Sequence, residues 1–217
     1  MTRRFRDRTE AGQLLAKKLK LTFDANCADV LVLGLPRGGV PIAYEVALAL
    51  KAPLDICLVR KLGAPHNKEL AMGAIGMGGV MVVNDDVVES LGVSAETIAA
   101  VVALEEKELE RRDRAYRGDR PLPNVQGRTI ILIDDGIATG ATLRAAIATL
   151  KQQKPASIIV AVPVAPRSTC NELKAEVDNV VCLVAPESFY SIGVWYDKFP
   201  QTTDEEVRSL LAQSSVI

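Results

Sequence analysis

Short unbroken apolar runs alternate along this chain with longer segments of helical period. Val30-Leu31-Val32-Leu33 ends at Gly34, Thr129 to Ile133 runs straight into two acids, and Ile158–Val162 and Val180–Val184 repeat the pattern. Runs of this length read as strands buried on both faces. Leu54 to Val59 reads as another. Helices are expected over residues 9–20, 40–50, 94–116 and 142–152, with Ser94 capping the longest. A closing helix holds Glu205, Glu206 and Val207. Ala71–Ile75, the turn Gly76-Met77-Gly78-Gly79 and Val80–Val83 read as a hairpin, and the stretch before Ala71 as a polar loop. Strands alternating with helices imply βαβ units and an α/β fold with a mainly parallel sheet flanked by helices. Ligands on such sheets gather at the carboxyl ends of strands. The loops after Leu33, Val59, Ile133 and Val184 are therefore the places to search.

Composition narrows the chemistry. A chain of 217 residues suits a single domain. Hydrophobic residues make up 48% but aromatics only 4%, so aliphatic side chains build the core. The single His excludes a multi-histidine zinc site. Lys plus Arg is 26 and Asp plus Glu 27, a balance that argues against a general nucleic-acid partner. No apolar run reaches the length of a membrane span. The basic start, Arg3 to Arg8, lacks a following apolar region, and Asp7 and Glu10 count against a transit peptide. Cys27, Cys57, Cys170 and Cys182 form no CxxC and read as buried, reduced thiols of a cytoplasmic protein. Arg111-Arg112-Asp113-Arg114 reads as a solvated helix face.

The richest loop follows Ile133: Asp134-Asp135-Gly136-Ile137-Ala138-Thr139-Gly140-Ala141-Thr142. Glycines turn backbone N–H groups inward, threonine hydroxyls donate, and a helix N-terminus adds positive partial charge. That half suits a phosphate monoester. The two acids suit hydroxyls or a metal. A ribose 5-phosphate satisfies both. The loop is neither a Walker A motif nor GxGxxG.

It resembles the phosphoribosyl-pyrophosphate motif of type I phosphoribosyltransferases, with Asp134, Asp135, Thr139, Gly140 and Thr142 matching. The likeness covers nearly the whole chain, through Phe5-Arg6-Asp7-Arg8, Pro36-Arg37-Gly38-Gly39, Arg60 to Gly73 and Val194 to Phe199, and extends to bacterial phosphoribosyltransferase-like proteins of undefined acceptor. It implies the fold of that family, a single domain over 1–217, and a small C-terminal hood over 185–217, with the 1–22 helix as a candidate partner. It implies transfer of the 5-phosphoribosyl group from phosphoribosyl pyrophosphate to a nitrogen acceptor, a nucleobase by preference, in a homodimer. Mg2+ is the implied cofactor, held largely by the substrate and by Asp134 and Asp135. Gly136 to Thr142 would hold the 5′-phosphate; Pro36, Arg37, Gly38 and Gly39 would hold pyrophosphate. Arg60 and Lys61 resemble the Arg-Lys pair of adenine and orotate enzymes, followed by a mobile catalytic loop. Glu69 and His66 are that loop's candidates for proton transfer, Glu69 the better one. Enzymes acting on 6-oxopurines carry an Asp where this chain has Ala138, so the motif is closer to the adenine, orotate and uracil branches.

The segment from Pro186 to Phe199 concentrates aromatics, and Trp195, Tyr196 and Asp197 are the expected acceptor contacts. Any one of these rings reads equally as filler between hood and core. Two other functions stay open at this stage. One is a non-catalytic, nucleotide-binding regulator that keeps the same loop. The other is a hydrolase or phosphorylase of sugar phosphates.

Overall fold

The computed structural model describes residues 4–22, 29–65 and 67–214. Five strands form one parallel sheet in the order β2-β1-β6-β7-β8. They are β1 (Val30–Gly34), β2 (Leu54–Ile56), β6 (Thr129–Ile133), β7 (Ser157–Val164) and β8 (Asn179–Val184). Side chains alternate between the faces, and each face carries its own core. Val32, Ile131, Ile133 and Ala161 meet α1 (Arg8–Thr22), α2 (Gly39–Leu50) and α7 (Asp204–Ser214). Leu31, Leu33, Ile130, Leu132 and Val160 meet α5 (Ala141–Gln152) and α6 (Arg167–Leu173). Val, Ile, Leu and Ala do this work, as the scarcity of aromatics requires. No helix among the described residues is long and apolar enough to cross a membrane.

The middle of the chain departs from expectation. Leu54–Val59 is not one strand. β2 stops at Ile56 and β3 (Val59–Ala64) starts a separate three-stranded antiparallel sheet with β4 (Asn67–Gly76) and β5 (Met81–Val83). The segment read as a polar, mobile loop is therefore a hairpin, with Arg60 opposite Ile75 and Lys61 opposite Ala74. Leu62, Ala64, Met72 and Ile75 are buried on it. Alternation within Lys61-Leu62-Gly63-Ala64 carried that signal, masked by flanking charge. The expected turn and return strand are present: Gly78 and Gly79 take positive φ of 76° and 72°, and Gly73 pairs with Val83.

Helix α4 (Ala95–Arg117) begins as expected, with Ser94 Oγ accepting from Thr97 N at 3.3 Å. Two short helices were not foreseen: α6, and α3 (Asp85–Leu91), which Asn84 caps by accepting from Val87 N. At seven residues each they are too short for a helical period to register. Cys57 and Cys170 are buried and Cys182 half-buried, all with free thiols; Cys27 lies outside the described residues.

Arg117 pins α4 to the parallel sheet. Its side chain is 1% exposed and grips Asp55 of β2 at 3.0 Å, Asp113 at 3.2 Å and the Pro121 carbonyl. Removing it strands the Asp55 carboxylate in a dry site. Arg117→Ala should cost about 3–5 kcal/mol in urea unfolding, and Arg117→Met combined with Asp55→Asn should recover most of it. A loss of under about 1 kcal/mol would rank the clamp with exposed ion pairs.

Candidate active site

β6 ends at Ile133, and the next residues carry the acids and the expected phosphate loop. Gly140 takes a left-handed φ of 76° and caps α5, whose first-turn N–H groups have no helical partner. Ile137 N donates to Val164 O at 2.9 Å, which ties the loop to β7. Arg144 holds the other side: Nη1 donates to Thr139 O at 3.1 Å, while Glu176 and Glu172 fix Nε and Nη2 at 2.8 and 2.6 Å. The result is a cavity of about 190 Å³ lined by Asp134, Gly136 to Leu143 and Ile192. Ile192 packs so closely that a Cβ on Gly136 would lie 2.7 Å from its Cγ2.

The loop after β1 lies beside this cradle because β1 and β6 are neighbours with Gly34 opposite Ile133. Leu35 N donates to Ile133 O at 2.8 Å. A Cβ on Gly39 would sit 2.6 Å from Ile133 O, and one on Gly38 would sit 1.9 Å from Asp135 Oδ2. These glycines are needed for close approach, whatever their amides bind. Arg37 Nη1 leans to Asp204 Oδ1 of α7 at 3.5 Å, an acid that Tyr116 also holds at 2.9 Å.

Arg60 and Lys61 line a second cavity of about 560 Å³ with Leu35, Pro36, Glu105 and Arg112. Arg60 pairs with Glu105 at 2.6 Å. Thr142 lines both cavities. Glu105 carries no mark in the sequence, and Arg112 belongs to the run read there as a solvated helix face rather than a phosphate-binding patch. Arg112 does pair with Glu108 along α4, as a solvated face would, yet it also faces the site. Only the hairpin's packing on α4 reveals this.

The segment expected to form a hood pairs with the start of the described chain. Phe5 N donates to Trp195 O and Asp197 N donates to Phe5 O, each at 2.8 Å. Tyr196 is 3% exposed, stacks on Phe199 at 4.8 Å, and donates its hydroxyl to Asp135 O at 2.6 Å. The ring, an expected acceptor contact, is packed between Phe5 and Phe199. Asp197 is exposed beside Arg4 at 3.9 Å, and neither residue lines either cavity. Trp195 is half-buried, and its Nε1 has no hydrogen-bond partner among the described residues. His66 and the side chain of Glu69 lie outside the described residues.

A family profile described as "phosphoribosyl transferase domain" matches residues 7–197. The chain belongs to that family. Two Mycobacterium tuberculosis proteins (strains CDC 1551 / Oshkosh and ATCC 25618 / H37Rv), provisionally named phosphoribosyl transferases, are 45% identical over 207 residues. The match takes in 95% of this chain but 46% of theirs, so the chain spans about half the length of these relatives. The crystal structure of TT1426 from Thermus thermophilus is similar at a TM-score of 0.88 and 41% identity, covering 97% of this chain and 98% of that one. The AQ2163 protein from Aquifex aeolicus shares the fold at a TM-score of 0.50 and 11% identity, over 94% and 85% of the two chains.

In this phosphoribosyl transferase domain the two acids are not equivalent. Asp134 lines the cradle, while Asp135 is buried behind it. Desolvation, and then the neighbouring Asp135, push Asp134 well above its ordinary 3.8. Desolvation raises Asp135 too, opposed by hydrogen bonding and charge from Arg8. Above pH 3.8 the folded chain therefore keeps protons that the unfolded chain has released, and stability falls as pH rises from 3.8 towards the raised values, then levels off. Asp134→Asn should flatten that fall and raise the melting temperature at pH 7. A variant whose stability declines with pH as steeply as the wild type would assign the effect to other groups.

Proposed function

We propose that this domain transfers the 5-phosphoribosyl group of phosphoribosyl pyrophosphate to a ring nitrogen of a nucleobase. The bond from C1 to the pyrophosphate oxygen breaks, a C1–N bond forms, and pyrophosphate and a proton leave. One observation carries the reading: Thr142 lines both the glycine-threonine cradle and a cavity bearing Arg60, Lys61 and Arg112. That spacing of an anion cradle, an acid and cations suits a sugar with phosphate at one end and pyrophosphate at the other.

The 5′-phosphate is held by Gly136 to Thr142 and the start of α5. Asp134 accepts from ribose hydroxyls and offsets positive charge developing at C1. Arg60 and Lys61 hold the departing pyrophosphate, and Arg60 exchanges Glu105 for it. Among the described residues no three His, Cys, Asp or Glu converge to cage a metal. One carboxylate beside a diphosphate is nonetheless a donor set that Mg2+ accepts, so Asp134 and the substrate's own oxygens fit it. When bound, the ion neutralises charge on the pyrophosphate. Ala138 presents no carboxylate at the cradle's exposed edge, which favours an acceptor of the adenine, orotate or uracil kind.

Pyrophosphate release should be assayed with Mg2+ and a panel of adenine, orotate, uracil, hypoxanthine and nicotinate. At least one of the first three should support turnover, and Asp134→Asn should lower kcat by about 10²–10³. Binding of phosphoribosyl pyrophosphate without turnover on any base would assign the domain to a regulator. Release of ribose 5-phosphate without an acceptor would assign it to a hydrolase.

A further inference from the structure

Arg8 opens α1 yet reaches the far end of β6. Its Nε and Nη2 both donate to Asp135 Oδ2, at 3.0 and 2.8 Å. Its Nη1 donates to Pro200 O at 2.6 Å, and the guanidinium lies 3.9 Å from the centre of the Phe199 ring. The two side chains are only 11% and 12% exposed. Asp135 is enclosed on its other sides. Its carboxylate rests on Gly38 of the loop after β1, and its carbonyl accepts from Tyr196. Four elements thus meet around one residue, Asp135: the helix opening the described chain, the loop after β1, the loop after β6 and the C-terminal segment.

A ribose hydroxyl is a poor competitor for this acid. Two charge-assisted hydrogen bonds already reach one carboxylate oxygen. Taking either ion away leaves its partner uncompensated in a dry site. Asp134, by contrast, lines the cradle and touches no cation in hydrogen-bond range among the described contacts. Adjacent carboxylates that share an environment repel each other, and a guanidinium fixed on one of them reduces that cost for both.

We propose that Arg8 is a positioning residue for the sugar-phosphate site. By engaging Asp135 it leaves Asp134 as the carboxylate presented to the ribose hydroxyls, and it ties the pyrophosphate loop and hood around that acid. The inference rests on the phosphoribosyl reading above. Lysine cannot fully replace Arg8, because the planar fork serves Asp135, Pro200 and the Phe199 ring at once.

Calorimetry on the full chain, with Mg2+-phosphoribosyl pyrophosphate and with ribose 5-phosphate, tests the idea. Arg8→Ala should weaken both ligands about tenfold, with Arg8→Lys recovering part of the loss. In the Arg8→Ala background, Asp135→Asn should cost less than about twofold more, because the two residues act as one unit. Asp134→Asn should cost there the full factor it costs in the wild type. An Asp135→Asn penalty that is as large without Arg8 as with it would mean that Asp135 touches the ribose directly, and would overturn the proposal. So would an affinity indifferent to Arg8→Ala, whatever happens to the melting temperature. If Arg8→Ala does not fold, the same cycle is run with Arg8→Lys. A wild-type chain that binds neither ligand overturns the phosphoribosyl reading and this proposal with it; wild-type binding that ignores Arg8 overturns the proposal alone.

Discussion

The pairing of β1 with β6 governs everything at the site. With Gly34 opposite Ile133, two chain segments leave adjacent strand ends at the same height. They diverge at once, one into α2 and the other into α5, on opposite faces of the sheet. Between them is room for an extended ligand. The two loops can lie this close only because Gly38 and Gly39 carry no side chain; a Cβ at either would strike the backbone or the acid of the other loop. A shift of one residue in this register would part the cradle from its cationic neighbour and turn every core side chain to the wrong face.

Around that junction the molecule accepts local cost. Two adjacent carboxylates are held with little water, against both desolvation and mutual repulsion. Arg8 relieves one of them and the other stays exposed to the cradle. Arg117 plays a comparable part farther out, holding Asp55 and α4 so that the hairpin bearing Arg60 and Lys61 is backed by a fixed helix.

Much of this was legible from residue order. The parallel sheet followed from four- and five-residue aliphatic runs, because such runs have no solvated alternative. The cradle followed from Asp134 to Thr142, because its glycines, hydroxyls and helix start are contiguous. The hairpin at β3 and β4 was misread because Arg60, Lys61, Asn67 and Lys68 cluster around its turn, while Leu62, Met72 and Ile75 bury it. The aromatics near the C-terminus are clustered in the sequence, but only the fold shows Tyr196 buried with its hydroxyl on the Asp135 carbonyl.

The sequence by itself determined the layers, the aliphatic core and the glycine-threonine loop after β6, since each depends on neighbours within a few residues. The tertiary structure alone decided which of the two acids lines the cradle, which charged side chains share the neighbouring cavity, and that Arg8 reaches Asp135. Arg8 and Asp135 are separated by 127 positions, and Arg60 and Glu105 by 45. Charge pairs at such separations leave no periodic trace in a chain, because nothing local requires them. Packing selects them once the sheet, helices and hood have fixed where each side chain can reach.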